Sequence, residues 1–385
     1  MNSEVVSRID NLIDKLRFAV DSDRNKQRLA IPEPKCVFTT EEPIIWAEIF
    51  GYDANDYYAD PYFYLEQFLK QKLYRWDNFP DDEAPLTMDI PAWLGWYSEY
   101  TYAGMYVKFD SKGVPLIQND HPLSQTPDIK LLKTVDFKTS GWMPRALKWY
   151  DDLCKISNGR LNIIFDMVWW RGGLDLAIQL RGYENFIMDT MERPQFIHDL
   201  MKWLTEQRCR WHQGFHDYFG KDIPGKAGLG ATFVGDDWIN VPFITPEMFR
   251  DFVLPYLLEI EKFHGAINGL HSCGNQTPVQ QYLLEIKSLP TFEIGAWSDF
   301  DQSLKNIPVS KGLGISIKPG DVLLATEEQM EKQLREITKK CCNRKYNIGT
   351  SGLSPVSDDI GDFVSHIRTW TKVVKRVMAE ARKNK

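Results

Sequence analysis

Past Gly141 the chain alternates between two hydrophobic periods. Short apolar, β-branched runs recur as RLNIIFDM, GLGATFVGD, GAINGLH, TFEIGAW, GLGISI and YNIGTS, and the stretches between them carry the apolar spacing of helices. Strand-like runs joined by helical segments predict βα units around a parallel sheet. The helix starts are marked too. Thr245-Pro246 supplies an N-cap followed by proline at the first helical position, and Pro255 is expected to kink the helix that follows. Thr326 with Gln329 reads as a capping box, and the helix behind it repeats Met330, Leu334, Ile337 and Cys341 on one face, which turns Cys341 towards the core.

The first 140 residues have another texture. Aromatics crowd DANDYYADPYFYLEQFLKQKLYRWDNF and PAWLGWYSEYTYAGMYVKF, with turn-forming Pro, Asp and Gly between them. They are read as an irregular α+β extension over residues 1–140, placed before a barrel over residues 141–385. An open, doubly wound sheet is the rival arrangement. The glycine-rich dinucleotide fingerprint that favours it is missing, since GLGATF and GLGISI each lack the third glycine and open no helix. The expected fold class is therefore α/β, a (β/α)8 barrel, whose chemistry sits where strands end and the following loops begin.

Composition narrows the function. The chain has 385 residues, 43% of them hydrophobic, and a net charge of −7, with no basic run long enough to form a nucleic-acid footprint. No stretch approaches the roughly 20 apolar residues that cross a bilayer. Six cysteines without any CxxC spacing suit a reducing compartment, so a cytoplasmic protein acting on a small molecule is expected.

The polar residues at strand ends are the candidates. His271 and Cys273 in GLHSCGNQ are spaced so that both side chains leave a strand end in one direction, and Gly274 lets the backbone turn at once. This pair either forms half of a zinc site or is a buried histidine with a buried thiol. Glu293, one strand further on, is the expected third ligand; Cys342 is a second option, at a helix end on the opposite rim. Asp236 and Asp237 suit a general base, a contact to a cationic group or the orientation of a ligand histidine, with one of the two expected to cap a turn. Trp169, Trp170 and Arg171 in VWWRGG could floor or clamp a substrate. His212 and His216 have helical i, i+4 spacing but lack the glutamate of an HExxH motif.

Four segments, GDDWINVPFITPEMFRDFVLPYLLEI, GLHSCGN, GLGISIKPGDVLLATEEQMEKQL and NIGTSGLSPVSDDIGDFV, in this order, resemble the uroporphyrinogen decarboxylase superfamily and most of all its corrinoid-dependent methyltransferase branch. The resemblance covers residues 160–375 well. It implies a (β/α)8 barrel, a zinc ion held by a His-x-Cys pair and a later cysteine, and a corrinoid (cobalamin) carried by a partner protein. His271 and Cys273 match the pair. Ser351 stands where the later cysteine belongs, and it is taken as a substrate contact. The implied activity is methyl transfer between the corrinoid protein and a small thiol or folate acceptor. The decarboxylase branch holds its polyanionic substrate with an arginine-rich segment near the N-terminus, and none occurs here. Metal-free decarboxylase or lyase chemistry, and a non-catalytic barrel that binds a tetrapyrrole or corrinoid, are the alternatives.

Overall fold

In the computed structural model, which describes residues 3–40, 44–95, 97–109, 115–117, 121–220, 230–357 and 359–383, nine strands run in the order β1 (Asp89–Ala92), β2 (Val107–Phe109), β3 (Pro115–Ile117), β4 (Asn162–Phe165), β5 (Thr232–Gly235), β6 (Ile267–His271), β7 (Thr291–Ile294), β8 (Gly312–Ile317) and β9 (Tyr346–Thr350). Each apolar run singled out in the sequence contains one of β4 to β9, although residues 228 and 229 of GLGATFVGD lie outside the described residues. Strand β1 sits inside the aromatic-rich segment and pairs in parallel with β4.

Helices separate the strands. Between β5 and β6 the predicted kink becomes a break: Pro246–Phe252 and Leu254–His264 are two helices that part at Val253, because a proline nitrogen has no hydrogen to continue the ladder. The Thr326–Gln329 capping box forms at the start of Glu327–Lys340, and Cys341 is fully buried.

The strands lie side by side in chain order. Parallel ladders join β5 to β6 and β7 to β8 to β9, while β2 and β3 form a small antiparallel hairpin. The segment after β4 reaches β5 through an Arg171–Gly235 bridge, with the Gly172 N–H donating to the Gly235 carbonyl at 2.8 Å. Strand β6 packs beside β7, and residues Cys36 and Thr40 bridge to Ile348 and Leu353 at the outer side of β9. The result is an α/β fold of short parallel sheets. A closed ring of ladder hydrogen bonds, as the barrel expectation requires, is absent among the described residues. Parallel ladders of four or five residue pairs, with a register shift at Thr232/Phe233, leave the β4–β5 and β6–β7 joints to a bridge and to side chains.

Along β4, β5, β7, β8 and β9 buried side chains alternate with more open ones. Val234, Leu270, Phe292, Ile294, Ile315 and Ile348 belong to the continuous core on the buried face. Gly235 lies opposite His271, and Glu293 opposite Gly314, so the alternation of side chains puts His271, Glu293 and Ser316 on the same half-exposed face. No described helix is long and apolar enough to cross a membrane.

Candidate metal centre

His271 closes β6, and the chain turns directly after it. Ser272 points the other way, fully buried, its hydroxyl donating to the Ile239 carbonyl at 2.9 Å, which leaves His271 and Cys273 on the open side. Gly274 is required at the turn. A Cβ there would lie 1.9 Å from Asn240 Cγ, and Asn240 Oδ1 accepts the Asn275 N–H at 2.8 Å to fasten the loop after β5 to the loop after β6.

This fastening brings a carboxylate to the pair. Asp237, His271 and Cys273 each offer one ligand atom, all within 4.8 Å of one another. His271 Nε2 lies 3.3 Å from Cys273 Sγ and 3.6 Å from Asp237 Oδ1. Tetrahedral zinc with bonds of about 2.0–2.3 Å has ligand-to-ligand edges of roughly 3.3–3.8 Å. The nitrogen–sulfur and nitrogen–oxygen edges both fall in that range, and the three atoms together offer three ligands with a fourth corner left over.

Glu293 takes a different place from the one expected of it. Its Oε2 sits 2.7 Å from His271 Nδ1, on the far side of the ring from Cys273, and Ser316 Oγ donates to its other oxygen at 3.5 Å. A carboxylate there fixes the ring and its tautomer so that Nε2 faces the ligand site. The geometry thus exchanges the positions of Glu293 and Asp237 relative to the sequence expectation.

The electrostatics follow the contacts. Burial opposes a charge on His271, yet its hydrogen bonds to Cys273 and Glu293 outweigh that and push its pKa up to about 11. Burial also works to raise Asp237, but the Arg171 guanidinium and His271 hold it below the usual carboxylate range. A metal ion must displace the His271 proton to bind. Metal affinity should therefore rise at least about tenfold per pH unit between pH 6 and 8, measured by competition with a chromophoric chelator; a flat profile would show that His271 is no ligand.

The two neighbouring aspartates part company. Asp236 is fully buried, and its Oδ2 accepts the N–H groups of Leu174 and Asp175, capping the helix Gly173–Arg181 from a different segment. Burial, reinforced by the nearby Asp175 carboxylate, pushes Asp236 well above its ordinary range. Its side chain is enclosed and serves a helix start, so the catalytic role expected of it does not fit its position. Trp169 is corrected likewise: it is wholly buried against Tyr102, with its carbonyl 3.2 Å from His212 Nε2. Trp170 is half-buried and meets Phe233 edge-on. Ser351 is half-buried directly after β9, its N–H donating to the Ile317 carbonyl. Cys342 lies exposed at the opposite rim, and His212 is buried beside Arg208.

Arg171 does reach the site. Its Nη1 donates to Asp237 Oδ2 at 2.9 Å and to Asp175 Oδ2 at 2.6 Å, and Tyr100 donates to Asp175 Oδ1. Neither Asp175 nor Tyr100 was singled out in the sequence; the i, i+4 spacing of Arg171 and Asp175 at a helix start was the available signal.

The profile of the family described as Uroporphyrinogen decarboxylase (URO-D) matches residues 95–352. Among solved structures, the chain is similar to a methyltransferase from Methanosarcina mazei. The TM-score is 0.61 and the sequence identity 14%, over 90% of this chain and 96% of that one, a likeness of fold. No curated protein sequence matches significantly.

Proposed function

The chain belongs to the uroporphyrinogen decarboxylase family, and from that premise we propose that it is a zinc-dependent methyltransferase acting between a corrinoid protein and a small thiol or folate acceptor. The observation that carries this reading is the Asp237, His271 and Cys273 cluster, in which both edges from His271 Nε2 have tetrahedral ligand spacing. The parallel strands in chain order, alternating with helices, support a (β/α)8 barrel with this cluster at the ends of its strands. A cytoplasmic location suits the six free thiols.

His271, Cys273 and Asp237 would hold the ion, with Glu293 orienting His271 from behind. A bound zinc would lower the pKa of an acceptor thiol and hold it as the nucleophile. The loops around the site suit a large partner. Phe243, Trp297, Leu324 and Val356, in the segments after β5, β7, β8 and β9, are all exposed apolar side chains. We take them as the contact for the protein that carries the corrinoid.

The test uses free methylcobalamin as donor and a simple thiol as acceptor, followed by the cobalamin absorption. Transfer should need zinc and stop with a chelator. Glu293→Gln should weaken zinc about 10- to 100-fold while retaining activity at saturating metal. Transfer at the same rate in excess chelator would rule the reading out.

A further inference from the structure

Asp237 gives its two carboxylate oxygens to different neighbours. Oδ1 faces His271 Nε2 at 3.6 Å and the Cys273 N–H at 3.4 Å, whereas Oδ2 accepts from Arg171 at 2.9 Å. Arg171 is itself held from behind. The same Nη1 lies 2.6 Å from Oδ2 of Asp175, whose side chain is 2% exposed, and Asp175 Oδ1 takes the Tyr100 hydroxyl at 2.5 Å. The guanidinium also lies over the rings of Tyr100 and Tyr97, at 5.1 and 5.8 Å from their centroids. Its side chain is only 13% exposed, so it has little room to swing away.

Two consequences follow from charge and geometry. A carboxylate with one oxygen tied to a guanidinium can offer a metal only the other, so Asp237 fills one corner of a tetrahedron and not two. The Asp175 charge balances Arg171, which leaves the negative charge of Asp237 available to a cation. We propose that Arg171, anchored on Asp175, holds Asp237 as a one-oxygen donor and so keeps the fourth corner of the site open to a small thiolate. This rests on the metal site proposed above. Arg171 and Asp175 are positioning residues, acting through Asp237.

Cobalt(II) replaces zinc as the probe, because its absorption reports coordination number and thiolate ligation independently of turnover. Wild type should bind about one cobalt per chain and show a stronger thiolate charge-transfer band as 2-mercaptoethanol is added. Arg171→Gln should still bind cobalt, with visible bands of higher coordination number, and need at least about tenfold more thiol for half-saturation. Asp175→Asn, which turns the whole Arg171 charge onto Asp237, should weaken cobalt itself about tenfold. Thermal unfolding of each metal-free variant identifies the folded ones, and either variant alone decides the question. Wild-type thiol affinity in Arg171→Gln, or wild-type cobalt affinity in Asp175→Asn, overturns the clamp while leaving the metal site standing. No cobalt in the wild type overturns both.

Discussion

Cys273→Ala is expected to lower methyl transfer from methylcobalamin by at least about 100-fold and to strip the zinc, with the fold intact. The thiolate is the softest donor of the three, and its loss leaves one imidazole and one carboxylate oxygen, too few for a zinc site. Cys273 is exposed and packs into no core, so its removal should cost little stability. Circular dichroism of the variant separates the two effects. Wild-type turnover with Cys273→Ala would mean that the site performs its chemistry without this ligand.

Gly274→Ala should be nearly as damaging by a different route. The added Cβ meets Asn240 Cγ at 1.9 Å and its Nδ2 at 2.2 Å, and Asn240 cannot yield without releasing the Asn275 N–H. Overpacking of this kind costs about 1–3 kcal/mol. The larger consequence is local: the β5 and β6 loops part, Asp237 leaves His271 and Cys273, and zinc affinity should fall at least about tenfold. Chelator competition together with a denaturation curve measures both. Unchanged zinc affinity in a destabilised variant would show that the loop contact does not position the ligands.

Much of the fold was legible because β4 to β9 are short β-branched runs and the helices between them carry caps. Strand β1 was not. Its four residues, Asp-Ile-Pro-Ala, give only two buried side chains, and what makes them a strand is parallel pairing with β4, some 70 residues away. The His271–Cys273 pair was visible from its spacing, but the sequence did not show that Asp237, and not Glu293, lies on the Cys273 side of the His271 ring. Neighbouring strands bring both Asp237 and Glu293 to His271, and only the orientation of the ring decides which carboxylate meets which nitrogen. The parity of β5 held an unused clue. Thr232 and Val234 are buried with Asp236, whereas Phe233 and Gly235 share the open face with Asp237, opposite His271. Tyr100 left no trace in the sequence, because its contact with Asp175 spans 75 positions.

X-ray absorption with elemental analysis, on protein purified without an affinity tag or chelator, reads the metal site itself. About one zinc per chain is expected, bound by one sulfur and by nitrogen or oxygen neighbours, and absent from Cys273→Ala. Wild-type protein that takes up no zinc even after incubation with it, or zinc without a sulfur neighbour, would contradict it.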